Sequence, residues 1–106
     1  MAKWLSVVLF ITLVPSLMAQ TAGTGALSGR VMDSSAAILP GVMVTITSLD
    51  TGQIRSAITG EDGTYRATLL PPGNYSVKFE LAGFNTAEVP SVKVNVTETA
   101  VLDRTM

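Results

Sequence analysis

The sequence predicts an all-β fold: a seven-stranded antiparallel Greek-key β-sandwich, preceded by a signal-peptide helix. Apolar residues recur at every second position, as in Val42, Val44 and Ile46 or Tyr75, Val77 and Phe79, and not at the helical spacings of three and four. Turn chemistry falls between these runs at Leu39-Pro40-Gly41, Asp50-Thr51-Gly52, Asp62-Gly63 and Pro71-Pro72-Gly73. Short runs separated by turn signals roughly every eight to twelve residues favour two packed sheets over a barrel or a βαβ fold.

The chain opens on residues 1–19, which read as an export signal. Lys3 gives a short basic start, Trp4 to Val14 an apolar core, and Pro15-Ser16 a break ahead of Leu17-Met18-Ala19, with Ala19 as the cleavage residue. The apolar run is shorter than the roughly 17–25 residues of a spanning helix, which favours cleavage over a membrane anchor. The mature chain would start at Gln20, with residues 20–25 a small, polar, flexible lead-in to a sandwich over residues 26–106.

The first expected strand alternates Leu27, Gly29 and Val31 with Ser28 and Arg30 and ends at Asp33. After a loop closed by Leu39-Pro40-Gly41, Val42, Val44 and Ile46 form the inner row of the second strand. Ile54, Ser56 and Ile58 share one face of the third, opposite Arg55 and Thr59. Asp62-Gly63 suits a hairpin turn because both residues tolerate a left-handed backbone. It leads to a fourth strand with Tyr65, Ala67 and Leu69 on one face, stopped by two prolines that break the ladder. Tyr75, Val77, Phe79 and Leu81 give the fifth strand, Val92, Val94 and Val96 the sixth, and Ala100 to Met106 a closing strand. Strands of five to eight residues are shorter than the roughly 9–11 of a tilted membrane strand, so the mature domain is not expected to span a membrane.

Composition excludes more functions than it suggests. Seven Lys/Arg against eight Asp/Glu leave a net charge of −1. Arg30, Arg55, Arg66, Lys78, Lys93 and Arg104 are scattered along the sequence, which gives no basic stripe for nucleic acid. Without cysteine there are no disulfides or thiolate sites, and without histidine there is no Ser-His-Asp triad or His-based general base. Glu61-Asp62 is an adjacent acidic pair, but a calcium shell needs six to eight oxygens, and Asp62, Asp33 and Asp50 are expected in turns. Tyr65 and Tyr75 each begin an inward row. They are expected as core residues whose hydroxyls bond nearby backbone, as in a tyrosine corner, rather than as a stacking platform for sugar or peptide. Asn74-Tyr75-Ser76 and Asn95-Val96-Thr97 match the glycan-acceptor pattern and are read as incidental. No catalytic, cofactor-binding or metal residue is expected.

Taken in order, Gly29-Arg30-Val31-Met32-Asp33, Leu39-Pro40-Gly41-Val42-Met43-Val44, Thr51-Gly52, Asp62-Gly63-Thr64-Tyr65, Leu70-Pro71-Pro72-Gly73-Asn74-Tyr75 and Gly83-Phe84 resemble the carboxypeptidase regulatory-like domain. The resemblance covers residues 26–106 and implies a transthyretin-like (prealbumin-like) sandwich. Behind a signal peptide, such domains resemble the N-terminal extension of TonB-dependent, Oar-like outer-membrane receptors of Gram-negative bacteria. The chain departs from the family pattern at Ala36, where a glycine is common, and at Arg104, where an apolar residue is usual. A buried, unpaired guanidinium would cost several kcal/mol, so the last strand is expected at an exposed edge or completed by a partner. The implied function is a non-enzymatic, exported accessory or interaction module in the periplasm or outer membrane, partnered by a receptor barrel or plug or another envelope protein. The alternatives are a carbohydrate-binding module of starch-binding-like fold and a secreted adhesin-type stalk.

Overall fold

A computed structural model describes residues 23–106. The expected signal peptide of residues 1–19, its cleavage residue Ala19 and the start of the lead-in lie outside the described residues. Eight strand segments form two sheets: β1 (Gly25–Met32), β2 (Met43–Ser48), β3 (Ile54–Ile58), β4 (Thr64–Leu70), β5 (Gly73–Glu80), β6 (Ala87–Val94), β7 (Thr99–Val101) and β8 (Arg104–Thr105). One sheet has the order β4-β1-β7, with β8 also on β1; the other has the order β3-β2-β5-β6.

The core lies between the sheets and is built from the alternation read in the sequence. Leu27, Val31, Tyr65, Ala67 and Leu70 line the first sheet, facing Val44, Ile46, Tyr75, Val77, Phe79 and Val94 of the second. Tyr65 meets Phe79 edge-to-face, with ring centroids 5.7 Å apart. The loop ahead of β2 is sealed by a buried threonine: Thr59 Oγ1 donates to the Leu39 carbonyl (2.6 Å) and accepts from the Val42 N–H (2.8 Å).

Four expectations about the strands need correction. The sandwich is mixed, because β7 and β8 run parallel to β1. The single closing strand expected over Ala100 to Met106 is two segments, and so the count is eight instead of seven. Leu69 does not share the face of Tyr65 and Ala67. The β1–β4 register shifts beside it, Leu69 takes a positive φ of 57° and is exposed, and Leu70 fills the core instead. In β6 the strand begins at Ala87 and ends at Val94, leaving Val96 beyond it and partly exposed. A second register shift, opposite Tyr75 and Val77, brings Val89 and Val92 to the same face.

Gly29 lies at the point where the two halves of the first sheet close. The C-terminal segment runs alongside β1 with Leu102 N–H donating to the Ser28 carbonyl (2.8 Å) and Met106 N–H to the Met32 carbonyl (2.8 Å). Between these bonds the Asp103 carboxylate accepts the Arg30 N–H at 2.8 Å, standing in for a backbone carbonyl. A Cβ on Gly29 would overlap the Leu102 carbonyl. Gly29→Ala is therefore expected to destabilise the fold by about 1–3 kcal/mol, the range of core overpacking, as a lower urea midpoint. The loop after β1 predicts the opposite sign: Ala36 holds a positive φ of 68°. Ala36→Gly should raise stability by about 0.5–1 kcal/mol, the left-handed penalty relieved less the entropy glycine loses on folding, read as a higher melting temperature.

Candidate functional site

Two of the acidic residues weighed as ligands, Asp33 and Asp62, spend their carboxylates on turns. Asp33 Oδ1 accepts from Ser35 Oγ (2.6 Å), the Ser35 N–H (2.8 Å) and the Ala37 N–H (3.0 Å). Asp62 Oδ1 accepts from Thr64 Oγ1 (2.7 Å) and the Thr64 N–H (3.1 Å). The Ser35 hydroxyl foremost, with the Ala37 N–H, holds the Asp33 carboxyl below the usual carboxylate range. The Thr64 hydroxyl and N–H, with a smaller contribution from Arg30, do the same for Asp62. At the next turn the Ser48 hydroxyl accepts the N–H groups of Asp50 and Thr51. Among the described residues no group of three or more Asp, Glu, His or Cys is placed to hold a metal ion.

The aromatic rings are equally committed. Tyr65 is buried, and its hydroxyl donates to the Leu102 carbonyl at 2.5 Å, a bond 37 residues long in sequence. Burial first, then the negative Asp103, pushes the Tyr65 phenol well above its ordinary range. Tyr75 is buried as well and donates to the carbonyl of Pro71, four residues upstream. The tyrosine-corner geometry thus occurs at Tyr75, whereas Tyr65 ties β4 to the C-terminal segment. Phe79 is fully buried, and Phe84, 38% exposed, is the most accessible ring of the described residues.

Two surfaces remain. The face of β4 and β1 beside Asp103 carries an open, shallow cavity of about 440 Å³ whose lining includes Ser28, Arg30, Thr64, Arg66 and Asp103. Register brings the arginines together: Ser28 pairs with Arg66 and Arg30 with Thr64, so the two side chains are diagonal neighbours. They are scattered in sequence, and strand pairing is what unites them. Asp103 and Asp62 beside Arg30 offset their charge. The second surface is the outer face of β3, where Ile54 and Ile58 are 61% and 63% exposed and Met43 of β2 lies opposite Ile58. The expectation that Ile54, Ser56 and Ile58 share a face holds, and that face points to solvent. Arg55, on the inner side, reaches across the sandwich mouth to the Thr68 and Leu69 carbonyls at 2.8 and 3.4 Å.

Arg104, where the resemblance implied an apolar residue, lies in an edge segment as expected. It pairs with Val31 in a row with Leu102 and Met106, both packed against the core, and its Nε is buried without a hydrogen-bond partner among the described residues.

A two-sheet sandwich with its polar groups spent on turns and strand closure defines a structural β-module. The chain belongs to the carboxypeptidase regulatory-like domain family, whose family model matches residues 26–106. A comparison with curated proteins finds no match. Among solved structures the fold is similar to part of the Bacillus anthracis TIE protein, with a TM-score of 0.68 and 23% identity over 78% of this chain and 16% of that one. It is similar to a chain of the type II cohesin–X-dockerin complex from Acetivibrio cellulolyticus, with a TM-score of 0.60 and 26% identity over 76% of this chain and 52% of that one. It is also similar to a candidate carbohydrate-binding protein of Bacteroides uniformis, with a TM-score of 0.60 and 21% identity over 76% and 40% of the two chains. The chain thus spans about half or less of the length of each of these proteins. A regulatory-like family is consistent with a non-enzymatic domain. No helix among the described residues is long and apolar enough to cross a membrane.

The unpartnered Nε yields a stability prediction. Replacing Arg104 with Met keeps an unbranched chain of similar reach and removes a desolvated donor worth about 1–3 kcal/mol when unpaired. Arg104→Met should raise the urea midpoint by the equivalent of about 1 kcal/mol with an unchanged denaturant slope.

Proposed function

We propose that this chain is an exported, non-enzymatic accessory module: cleaved after Ala19, then acting as the leading domain of, or docked to, a TonB-dependent outer-membrane receptor of a Gram-negative bacterium. The observation that carries the reading is the order of parts. A basic-apolar-small leader directly precedes a regulatory-like sandwich, with only the short residues 20–25 between them. The fold supports the accessory role, because Tyr65, Tyr75, Thr59, Asp33, Asp62 and Asp103 are bonded into turns and strand junctions, which leaves a body suited to spacing or docking other parts.

Carbohydrate binding is the weaker reading. The Bacteroides uniformis neighbour is a fold-level likeness, and sugar stacking needs exposed rings, whereas Tyr65, Tyr75 and Phe79 are buried.

Expression of the natural reading frame in a Gram-negative host, followed by fractionation and intact-mass analysis, tests the proposal. The expected product begins at Gln20 and co-isolates with an outer-membrane receptor barrel. A protein that keeps Met1 and stays in the cytoplasm would overturn it.

A further inference from the structure

Each sheet has two edges, and three of the four are blunted. The β4 edge is interrupted by a register shift and has two of its outward carbonyls occupied: Thr64 accepts from the Gly60 N–H at 3.0 Å, and Thr68 from Arg55. The β6 edge carries Pro90 and a register shift. The C-terminal edge is broken between β7 and β8 at Leu102 and Asp103. The β3 edge is regular, with five consecutive pairs to β2, and carries neither proline nor bulge.

The ladder fixes which way the β3 backbone points. Ser48 N–H donates to the Gln53 carbonyl (2.8 Å) and Thr59 N–H to the Val42 carbonyl (3.0 Å). Antiparallel alternation then puts Arg55 and Ala57 in hydrogen-bonded pairs with β2, and turns the N–H and C=O groups of Ile54, Ser56 and Ile58 toward the open side. The same three residues present their side chains on the outer face, where Ile54 and Ile58 are exposed.

We propose that this edge pairs with the β3 edge of a second copy of the chain, antiparallel about a two-fold axis at Ser56. The strand is self-complementary in that register. Ile54 falls opposite Ile58 of the second copy and Ser56 opposite its own counterpart, so every outward backbone group meets an outward group and apolar side chains meet apolar ones. The one charge in the strand, Arg55, falls opposite Ala57, so no like charges face each other. An isologous contact closes on itself, so association stops at the dimer. This pairing does not depend on the receptor reading.

A five-residue ladder lies below the standard interface size, so a weak dimer is expected. Sedimentation of the purified chain up to about 1 mM should show a concentration-dependent monomer–dimer equilibrium, with amide exchange slowing at Ile54, Ser56 and Ile58 as the dimer forms. Ser56→Lys places like charges across the axis and should weaken the dimer by up to about fivefold. Ser56→Pro removes an N–H that the β2 ladder does not use and should do the same. Unfolding of the Lys variant should match that of the parent under monomer conditions, so its result stands even if the proline variant fails to fold. A chain that stays monomeric throughout, including one that binds only an added foreign peptide, would overturn the proposal. So would a dimer unaffected by Ser56→Lys or one protected at other strands.

Discussion

The sandwich depends on the return of the C-terminal segment to β1. β1 lies between β4 and the C-terminal strands, antiparallel to the first and parallel to the second, and brings chain segments distant in sequence into one sheet. Closure is exacting, because the Leu102 carbonyl passes over a backbone that leaves no room for a side chain at position 29. It is then fixed from both sides, by the Tyr65 hydroxyl on the Leu102 carbonyl and by the Asp103 carboxylate on the Arg30 N–H. Two of these bonding groups are side chains, so the segment can break its strand there and still leave those backbone groups satisfied. Tyr65 also packs on Phe79, which couples the C-terminal closure to the core of the opposite sheet.

This closure accounts for how the remaining polar groups are used. With neither a disulfide nor a helix in its described part, the domain must hold its loops by hydrogen bonds from short side chains. Thr59, Ser48, Asp33 and Asp62 each bond backbone at a strand end. Arg55 does comparable work at the mouth of the sandwich, spending its guanidinium on carbonyls that the β4 edge would otherwise leave open. A side chain committed in this way is poorly placed for binding chemistry. The surfaces left over are a charge-balanced pair of arginines and a neutral, apolar strand edge.

The parts of this arrangement legible in the sequence are those governed by local rules. Period-two alternation placed Val44, Ile46, Tyr75, Val77 and Phe79 inside, and the Asp62-Gly63 turn falls where its chemistry puts it, with Gly63 at a φ of 74°. Alternation fails wherever a bulge inserts a residue, because one extra position moves every later side chain to the other face. Leu69 and Leu70 exchange roles for this reason, and so the inner row of β6 cannot be extrapolated from Val92, Val94 and Val96. The parallel pairing of β7 and β8 with β1 is invisible for a different reason. It joins residues about seventy positions apart through backbone bonds on either side of the Asp103 carboxylate, and nothing near Arg30 or Asp103 in sequence announces it. The Arg30–Arg66 face is hidden likewise until register is known.

Ala36 and Arg104 show how a departure from family pattern becomes a physical statement. Each was legible as an unusual residue, and each coincides with a local cost, a left-handed alanine in one case and a desolvated, unpartnered Nε in the other. A glycine at the first position and an apolar residue at the second are what backbone sterics and desolvation would select. The residues that the resemblance implied at these positions are therefore the ones that stability favours. The same reasoning does not extend to Ile54 and Ile58, whose side chains gain little from folding while more than half exposed. Apolar residues on a regular, unblunted edge work against solubility in an isolated domain. Their position is accounted for physically when something covers that edge, and the symmetry of the strand about Ser56 makes its own copy the best-matched cover.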